Sequence, residues 1–258
     1  MNPQVLRERP HAEFRQILGI HFFVGGVQRA VDLMRGGGLL VVPAAPALKN
    51  LGEDRQYREA LMGADVALAD SGLMVMIWNL VQKDHIPRLS GLKYLRELLT
   101  HPDVKQPGRS LWIMASPTSA AKNLAWLREQ GIAVPRECVY LAPMYGEIIE
   151  DERLLRQIRE CRPAHVIVTV GGGTQERLGL YLKRNLTPLP AIHCIGAAIA
   201  FLSGDQVQIP RWADRMYLGW LFRCLSEPKR YVPRYWSARK LVSLMLRYRE
   251  VLPILSTK

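Results

Sequence analysis

The sequence has 258 residues, of which 48% are apolar and 22% charged, a balance that is typical of folded globular proteins and excludes an intrinsically disordered chain. This length fits one large α/β domain, alone or with an appended segment. The formal net charge of +12 indicates an anionic partner such as a nucleic acid, an anionic membrane or a phosphorylated substrate. It carries no information about the fold.

Cysteine spacing and hydropathy indicate where the protein works. The four cysteines are widely separated and form no C-x-x-C motif, which argues against a disulfide scaffold and a structural zinc site and fits a reducing cytoplasm. The first residues lack the apolar stretch of a secretory signal. No apolar run reaches the roughly 18 residues that a membrane-spanning helix needs. We therefore expect a cytoplasmic protein, either free or attached to a surface.

Six short apolar runs alternate with helical patterns as far as residue 198. Continuous apolar runs of this kind are typical of strands buried on both faces of a parallel sheet. The segments between them have apolar residues at helical spacing; in one of these helices, Ser116 is the expected N-cap and Gly131 the expected end. We therefore predict an α/β fold, with a Rossmann-like, mostly parallel sheet and helices on both faces. The predicted strands are 39–43, 66–70, 111–116, 138–143, 165–173 and 191–198.

The composition changes beyond Gly204. Three of the six tryptophans lie there, interleaved with arginines, and residues 205–258 contain eleven Lys and Arg against four Asp and Glu, a net charge of +7. Pro228 and Pro233 divide this stretch into helical pieces. We predict two parts, a Rossmann-like core over residues 1–204 and a basic, aromatic-rich helical appendage over residues 205–258.

Asp70 is a single carboxylate at the end of the apolar run VALA, and it is followed by Ser71, Gly72 and further apolar residues. One interpretation is that Asp70 caps the next helix, because Asp accepts hydrogen bonds from free backbone N–H groups at a helix start. The other is that Asp70 lies at the carboxyl end of a strand in an open α/β sheet, where ligands bind. The local sequence favours neither.

Three glycines, Gly171, Gly172 and Gly173, follow another predicted strand and precede a helix. Such a turn lets backbone N–H groups approach an anion at the helix N-terminus, although neither a complete dinucleotide motif nor a Walker A motif is present. Gln175 and Glu176, in the first helical turn, are candidates to contact a ligand. The alternative is that Thr174 caps the helix and Glu176 only favours its dipole.

Four segments in this order resemble the WecG/TagA/CpsF glycosyltransferases (glycosyltransferase family 26), and the resemblance runs from about Leu18 to Arg234. Residues 57–78 are similar to the family's ADxVLPDGxGVV segment and the helix before it. Residues 86–99 are similar to RVxGxDLxxxLL, and GGGTQERL to GxPxQExW. The long segment 195–230 is similar to GVGGxFDFxAGxxxRAPxWxxxxGLEWLYRLxxEPxR.

The resemblance implies an activity. The family moves a sugar, here a hexose or an N-acetylhexosamine, from a nucleoside-diphosphate sugar to a polyprenyl-diphosphate-linked acceptor in cell-surface polysaccharide synthesis, with inversion. Inverting transfer needs one carboxylate base, and the chain has no D-x-D motif, so backbone N–H groups and arginines are expected to meet the charge of the leaving group. No metal and no cofactor are expected.

The resemblance also assigns residues. Asp70 matches the family's proposed catalytic base, and Arg88 matches the arginine of RVxG. The expected donor-binding residues are Arg88, Gly171, Gly172, Gly173, Gln175 and Glu176. The expected contacts to the acceptor diphosphate and the membrane are Arg211, Arg223 and Arg230.

Several departures from the family pattern leave an alternative open. The family's Thr-x-Asn-Pro is replaced by Pro43, Ala44, Ala45 and Pro46, and the carboxylate of FDF is replaced by Ala200. These changes are compatible with a different sugar specificity. They are also compatible with an inactive homologue that binds a nucleotide or a lipid-linked glycan as an assembly subunit.

The last helical pattern has one apolar stripe, formed by Leu241, Leu244, Met245, Tyr248 and Leu252, with basic residues off the stripe. It fits either a helix packed on the domain or one that buries its stripe in an anionic membrane. Because the acceptor is anchored in a bilayer, we expect peripheral attachment to the inner face of the cytoplasmic membrane. No pattern typical of nucleic-acid binding occurs, and no nucleic-acid partner is expected.

Overall fold

A computed structural model describes residues 13–206 and 219–256. The strands are β1 (Phe14–Ile17), β2 (Ile20–Phe23), β3 (Gly38–Val41), β4 (Val66–Leu68), β5 (Ser110–Met114), β6 (Val139–Leu141), β7 (His165–Val168) and β8 (Ala191–Cys194). The helices are α1 (Val27–Leu33), α2 (Ala45–Leu48), α3 (Arg55–Met62), α4 (Gly72–Gln82), α5 (Gly91–Leu98), α6 (Pro102–Lys105), α7 (Pro117–Glu129), α8 (Glu152–Cys161), α9 (Thr174–Asn185), α10 (Gly219–Ser226), α11 (Pro228–Ser237) and α12 (Lys240–Tyr248). Short 3₁₀ segments occupy Arg136–Cys138 and Gly196–Phe201.

The eight strands form one sheet in the order β1-β2-β4-β3-β8-β7-β5-β6. β1 and β2 are antiparallel, and all other neighbours are parallel. The six predicted strands correspond to β3–β8, so the predicted α/β class with a mostly parallel sheet is confirmed. The boundary between β3 and β8 separates the half formed by β1–β4 from the half formed by β5–β8, and ligands of open α/β sheets bind at the carboxyl ends of the strands beside such a boundary.

Helices cover both faces of the sheet, as predicted. All four residues of β3 are buried, and they alternate between the two sides: Leu39 and Val41 belong to one apolar cluster, while Leu40 belongs to the other. The first cluster includes residues of α3, α4, α8, α9 and α12, and the second includes residues of α1, α5 and α7. Burial on both faces explains why these strands are continuous apolar runs.

The predicted ends of the helix after β5 are confirmed. The side chain of Ser116 accepts a hydrogen bond from the backbone N–H of Ser119 at 3.2 Å, and Pro117 occupies the first helical position. Gly131 has a φ of +75° just beyond the helix, a conformation that glycine adopts without steric cost.

The β1–β2 hairpin was not predicted. Its strands have four residues each, and its two-residue turn is Leu18-Gly19, with φ values of +52° and +75°. Both central residues of a type I′ hairpin turn need a positive φ, for which Asn-Gly or Asp-Gly is the usual signal. Leucine at the first position hides the turn from a sequence-based prediction.

The hairpin turn is held by the end of the chain. The backbone N–H groups of Leu18 and Gly19 donate to the carbonyls of Arg249 and Glu250 at 2.7 and 2.8 Å. A Cβ on Gly19 would lie 2.5 Å from Cβ of Leu252, so the contact requires glycine. We call this contact, between residues 18–19 and 249–252, the clasp.

The apolar stripe of α12 faces the protein. Leu241 and Met245 are fully buried, and Leu244, Tyr248 and Leu252 are partly buried against the same apolar cluster. The expectation that this stripe meets the membrane is therefore wrong. The stripe covers α4, which would otherwise leave apolar residues of its own exposed. Within the described part of the chain, no helix is both long enough and apolar enough to cross a bilayer.

Candidate active site

Two adjoining cavities open at the carboxyl ends of the parallel strands. The first has a volume of about 500 Å³ and is lined by residues that follow β3, β4, β5, β7 and β8, and by residues of α7, α10 and α11. We call it the polar cavity. The second, of about 670 Å³, lies between α4 and the helices α10 and α11; we call it the apolar cavity. The residues that line both cavities are Ala44, Asp70, Arg88 and Arg223.

Asp70 faces the cavities and does not cap α4. The N-cap is Ser71, whose hydroxyl accepts from the backbone N–H of Met74 at 3.2 Å. Asp70 Oδ1 accepts instead from the backbone N–H of Gly91, also at 3.2 Å. Its side chain is partly exposed. The capping interpretation of Asp70 is therefore replaced by the second one, a carboxylate at the carboxyl edge of the sheet.

Arg88 fixes the segment that carries this carboxylate. Its Nε donates to the backbone carbonyl of Asp70 at 2.7 Å, and its Nη2 lies 3.7 Å from Oδ1 of Asp70. Both side chains are mostly but not fully buried. The pair therefore provides a carboxylate that is held in one orientation at the border of the two cavities.

The glycine turn has the open backbone that the sequence predicts. Gly171 and Gly172 line the polar cavity. Gly173 has a φ of +92° and is the N-cap of α9, with no side-chain cap from Thr174. A Cβ on Gly171 or Gly173 would have no neighbour within 4 Å among the described residues. The glycines therefore leave space beside the start of α9. Gly173 also adopts a positive φ that would be strained for any other residue.

Gln175 and Glu176 occupy different positions relative to the cavity. Gln175 is 3% exposed and forms part of the cavity wall, whereas Glu176 is 0% exposed and does not line the cavity. Oε2 of Glu176 accepts from the backbone N–H of Gly173 at 2.6 Å, and its Oε1 accepts from Nε2 of Gln175 at 3.0 Å. Burial raises the pKa of Glu176 to about 7, against the effect of these hydrogen bonds.

Arg223 reaches the border of the two cavities from α10. Its Nη1 donates to the hydroxyl of Tyr235 at 3.2 Å, and its guanidinium carbon lies 4.6 Å from the ring centre of Phe201. Its Nε is buried and has no hydrogen-bond partner among the described residues. Of the other predicted arginines, Arg230 belongs to α11, and Arg211 lies outside the described residues.

The structure adds polar residues that the sequence analysis did not identify. Tyr231 and Arg234 of α11 line the polar cavity, and Nη2 of Arg234 lies 4.0 Å from the position that a Cβ of Gly172 would take. Ser119 and Asp205 also line the cavity, and Asp205 pairs with Lys122 at 3.0 Å. The position of Ser119 in the first turn after a parallel strand was the available signal.

Two positions that depart from the family pattern face the cavities. Ala45, which replaces the Asn of Thr-x-Asn-Pro, lines the apolar cavity, and Ala200 lines the polar one. The polar groups that the family has at these aligned positions are therefore missing from the cavity walls. Over residues 13–206 and 219–256, no group of three or more His, Cys, Asp or Glu side chains is arranged to hold a metal ion.

The arrangement can perform group transfer between two different ligands. A carboxylate lies between a polar cavity, which has a glycine turn and arginines, and an apolar cavity lined by tryptophans. Such a carboxylate can take a proton from a hydroxyl of one ligand, while backbone N–H groups and arginines stabilise an anionic leaving group of the other. These features are those expected of a transferase with an anionic leaving group.

Comparison with known proteins identifies the family. Residues 15–252 match the glycosyl transferase WecG/TagA/CpsF family, and the chain belongs to this family. Two similar proteins are the N-acetylglucosaminyldiphosphoundecaprenol N-acetyl-beta-D-mannosaminyltransferases of Bacillus subtilis (strain 168) and Bacillus spizizenii (strain W23). The first is 23% identical over 189 residues, 71% of each chain. The second is 24% identical over 208 residues, 78% of each chain.

Proposed function

We propose that this protein is an inverting glycosyltransferase of cell-surface polysaccharide synthesis. It moves an N-acetylhexosamine or a hexose from a nucleoside-diphosphate sugar to a polyprenyl-diphosphate-linked acceptor, and it needs no metal ion. The observation that carries the proposal is the position of Asp70, which borders a polar and an apolar cavity at once. The names of the two Bacillus relatives support this class of acceptor.

The donor occupies the polar cavity in this proposal. Its diphosphate lies at the glycine turn, where the backbone N–H groups at the start of α9 favour an anion. Arg234, beside Gly172, and Arg223, at the border of the cavities, supply positive charge as the diphosphate leaves. The hydroxyl of Ser119 and the carboxylate of Asp205, which also line this cavity, suit the nucleoside.

The acceptor approaches from the apolar cavity. This cavity is lined by Leu73 and Met76 of α4 and by Trp220, Val232 and Trp236 of the C-terminal helices. An isoprenoid chain gains roughly 25 cal/mol for each Å² of apolar surface that it buries, so such a wall suits the lipid end of the acceptor. Arg223 contacts the acceptor diphosphate on this side.

Asp70 acts as the general base. A carboxylate oxygen of Asp70 takes the proton of the acceptor hydroxyl, whose oxygen forms a bond to the anomeric carbon of the donor sugar. The bond from that carbon to the diphosphate oxygen breaks, and the nucleoside diphosphate leaves from the opposite face, so the configuration inverts. Arg88 and the backbone N–H of Gly91 hold the carboxylate during this step.

The C-terminal helices attach the enzyme to the membrane. Trp220, Leu225, Val232 and Trp236 are exposed apolar residues of α10 and α11, in a stretch with a large excess of basic residues. Each Lys or Arg near an anionic lipid surface contributes about 1 kcal/mol to binding. We infer peripheral attachment to the inner face of the cytoplasmic membrane, with residues 205–258 as the acceptor-binding appendage, and no nucleic-acid partner.

A transfer assay tests the proposal. Purified protein is incubated with a panel of nucleoside-diphosphate sugars and a polyprenyl-diphosphate-N-acetylglucosamine, and the glycolipid product and its anomeric configuration are determined. Asp70→Asn is expected to lower kcat by about 10²- to 10⁴-fold, because a general base contributes a factor of this size. Asp32→Asn, in α1 and half-exposed, is the matched control and should keep full activity.

The main alternative is an inactive homologue that binds a nucleotide or a lipid-linked glycan as an assembly subunit. The apolar groups at Ala45 and Ala200, on the cavity walls, favour it. Thermal stabilisation by nucleoside diphosphate without any product, and without release of nucleoside diphosphate from any donor, would support this alternative. Full activity of Asp70→Asn on the cognate pair would instead contradict the base assignment alone.

A further inference from the structure

Glu176 is a buried carboxylate with two specific partners. Its Oε2 accepts from the N-cap N–H of α9, at Gly173, and its Oε1 accepts from the side-chain NH₂ of Gln175. Its side chain has no exposure. It therefore joins the glycine turn to Gln175 and does not contact the polar cavity itself.

The hydrogen bond to Glu176 determines which end of the Gln175 amide remains available. A charged carboxylate only accepts hydrogen bonds, so the NH₂ group of Gln175 must face it. Oε1 of Gln175 then lies on the other side, 3.4 Å from where a Cβ of Gly196 would be, in the wall of the polar cavity. This oxygen is buried and has no hydrogen-bond partner among the described residues.

A buried acceptor without a partner is costly, and in a native protein it calls for an explanation. The simplest explanation is a ligand group in the cavity that forms a hydrogen bond with this oxygen. Because only the oxygen is unpaired, that group must be a hydrogen-bond donor, either a hydroxyl or an amide N–H. Gly196 leaves room beside the oxygen that any side chain at this position would fill.

We infer that Glu176 is a positioning residue that keeps Oε1 of Gln175 available to the polar cavity, where it accepts a hydrogen bond from a hydroxyl or an acetamido N–H of the donor sugar. The inference rests on the proposed function and refines it, because it makes Gln175 a determinant of sugar specificity. Glu176 acts only through Gln175 and Gly173.

The surroundings of Glu176 make its hydrogen bond with Gln175 sensitive to pH. The titratable groups that face it are the Tyr57 hydroxyl of α3, the Cys194 thiol of β8 and the neighbouring guanidinium of Arg177. Burial raises the pKa of Glu176 to about 7. Below that pH the protonated carboxyl has a donor in place of one acceptor. A proton on Oε1 opposes the NH₂ of Gln175, whose amide then turns over or loses its hydrogen bond, and a proton on Oε2 opposes the N–H of Gly173.

NMR tests the inference without any need for turnover. In ¹⁵N-labelled protein, the side-chain NH₂ resonances of Gln175 are assigned by their loss in Gln175→Leu. They should shift with a midpoint near pH 7 in the unmodified protein, and this shift should be absent in Glu176→Gln. Resonances that stay constant between pH 5.5 and about 8.5, well either side of that midpoint, would overturn the coupling.

Kinetics test the consequence for the donor. In Glu176→Gln, the new amide can donate to Oε1 of Gln175, which turns the Gln175 amide over. We expect kcat/KM for the donor to fall about ten- to hundredfold, the cost of one unsatisfied polar group, and to lose its decrease below pH 7. Glu152→Gln, an exposed first-turn glutamate of α8, is the matched control.

The outcomes separate this inference from the proposed function. Unmodified protein that transfers no sugar contradicts the proposed function, while the NMR titration still decides the role of Glu176. Transfer with an unchanged pH profile and unchanged kcat/KM in Glu176→Gln overturns the inference alone. If Glu176→Gln does not fold, the pH titration of the unmodified protein remains decisive, since it needs only the Gln175 assignment.

Discussion

Nη1 of Arg223 donates a hydrogen bond to the Tyr235 hydroxyl, and the guanidinium lies over the ring of Phe201. Its Nε is buried and has no hydrogen-bond partner among the described residues. This arrangement leaves a planar donor group at the border of the two cavities. Lysine carries the same charge but lacks the planar fork and stacks poorly on an aromatic ring. The position therefore depends on the geometry of arginine as well as on its charge.

We expect Arg223→Lys to lower kcat/KM for the acceptor by about tenfold or more, because a charge-assisted hydrogen bond contributes about 1.5–3 kcal/mol. Initial rates at varied acceptor concentration measure the effect. Arg239→Lys is the matched control, since Arg239 also stacks on an aromatic ring, Trp236, but lines neither of the two cavities. An equal loss in both variants would contradict a specific role for Arg223.

At the residue scale, local sequence patterns predict groups that follow a strand, whereas in the C-terminal helices only the family resemblance indicates a site residue, Arg223, and Arg234 is missed. Asp70, Gly171 and Gln175 follow strands, and their position at the carboxyl edge is a property of parallel sheets. Arg234 belongs to α11, which reaches the site through contacts between segments far apart in sequence. No local pattern encodes such a contact.

At the element scale, the centre of the sheet contains a buried polar chain. The hydroxyl of Tyr94 in α5 is 2.9 Å from Nδ1 of His193 in β8, whose Nε2 is 3.0 Å from Nδ1 of His165 in β7. Both histidines are buried. Burial lowers the pKa of both, to about 4 for His165 and well below the ordinary value for His193. These hydrogen bonds link β7, β8 and α5 through uncharged imidazoles.

The two buried, neutral histidines predict a contribution to the free energy of unfolding that is lost in acid. In the unfolded protein the histidines bind protons below pH 6.5, whereas in the fold His165 stays neutral to about pH 4 and the pKa of His193 lies well below its ordinary value. Through these histidines the unfolded state binds more protons in this window, so their contribution to the free energy of unfolding falls as the pH falls from 6.5 towards 4, by up to about 3 kcal/mol for His165. Glu176, whose pKa is raised to about 7, contributes in the opposite direction.

Urea unfolding at a series of pH values measures this change. His85→Gln, which replaces an exposed loop histidine, should leave the pH dependence intact. His193→Gln removes the central imidazole and should reduce the loss of stability towards low pH, although the variant itself will be less stable. An equal pH dependence in His193→Gln and in the unmodified protein would show that the buried imidazoles do not titrate on unfolding.

The sequence predicts the elements whose residues are buried in the same way along the whole length of the element. β3–β8 are apolar along their length because both faces are covered, and the pattern of α7 includes its own cap and stop. The β1–β2 hairpin has neither a continuous apolar run nor residues that mark its ends. The direction of the α12 stripe also could not be predicted, because an amphipathic helix has the same pattern whether its apolar face meets a protein or a membrane.

At the scale of the whole molecule, burial of α12 changes how membrane attachment must be tested. Removing everything beyond Gly204 would remove Leu241 and Met245, whose apolar burial is worth about 1.5–3 kcal/mol each, and would uncover the face of α4 that they pack against, which destabilises the core itself. Point substitutions of exposed residues avoid this problem. Leu225 and Trp236, 72% and 66% exposed, lie on α10 and α11.

We expect the unmodified protein to float with anionic vesicles at low salt, and the double variant Leu225→Glu, Trp236→Glu to float at least about tenfold less, since it loses apolar burial and adds negative charge. Met144→Glu changes a 99% exposed residue after β6 and is the matched control. Equal flotation of the two variants would mean that α10 and α11 do not form the membrane surface.

The clasp predicts a pairing between distant positions. A Cβ at residue 19 would overlap Leu252, and its φ of +75° disfavours any other side chain. Gly19→Ala should therefore lower the free energy of unfolding by about 1–3 kcal/mol, measured by urea titration. Gly19→Ala combined with Leu252→Gly, which removes the Cβ that lies 2.5 Å away, should recover the part due to overlap with that side chain. An equal loss in both would leave backbone strain as the whole cost.

The same overlap has an evolutionary consequence. The two contact positions are separated by nearly the whole length of the chain, yet the hairpin position cannot gain a side chain while residue 252 keeps its own. Among relatives that retain both segments, a side chain larger than glycine at the hairpin turn should co-occur with glycine at the contacting position near the C-terminus. The correlated positions would then lie at the two ends of the sequence, remote from every residue that meets a sugar.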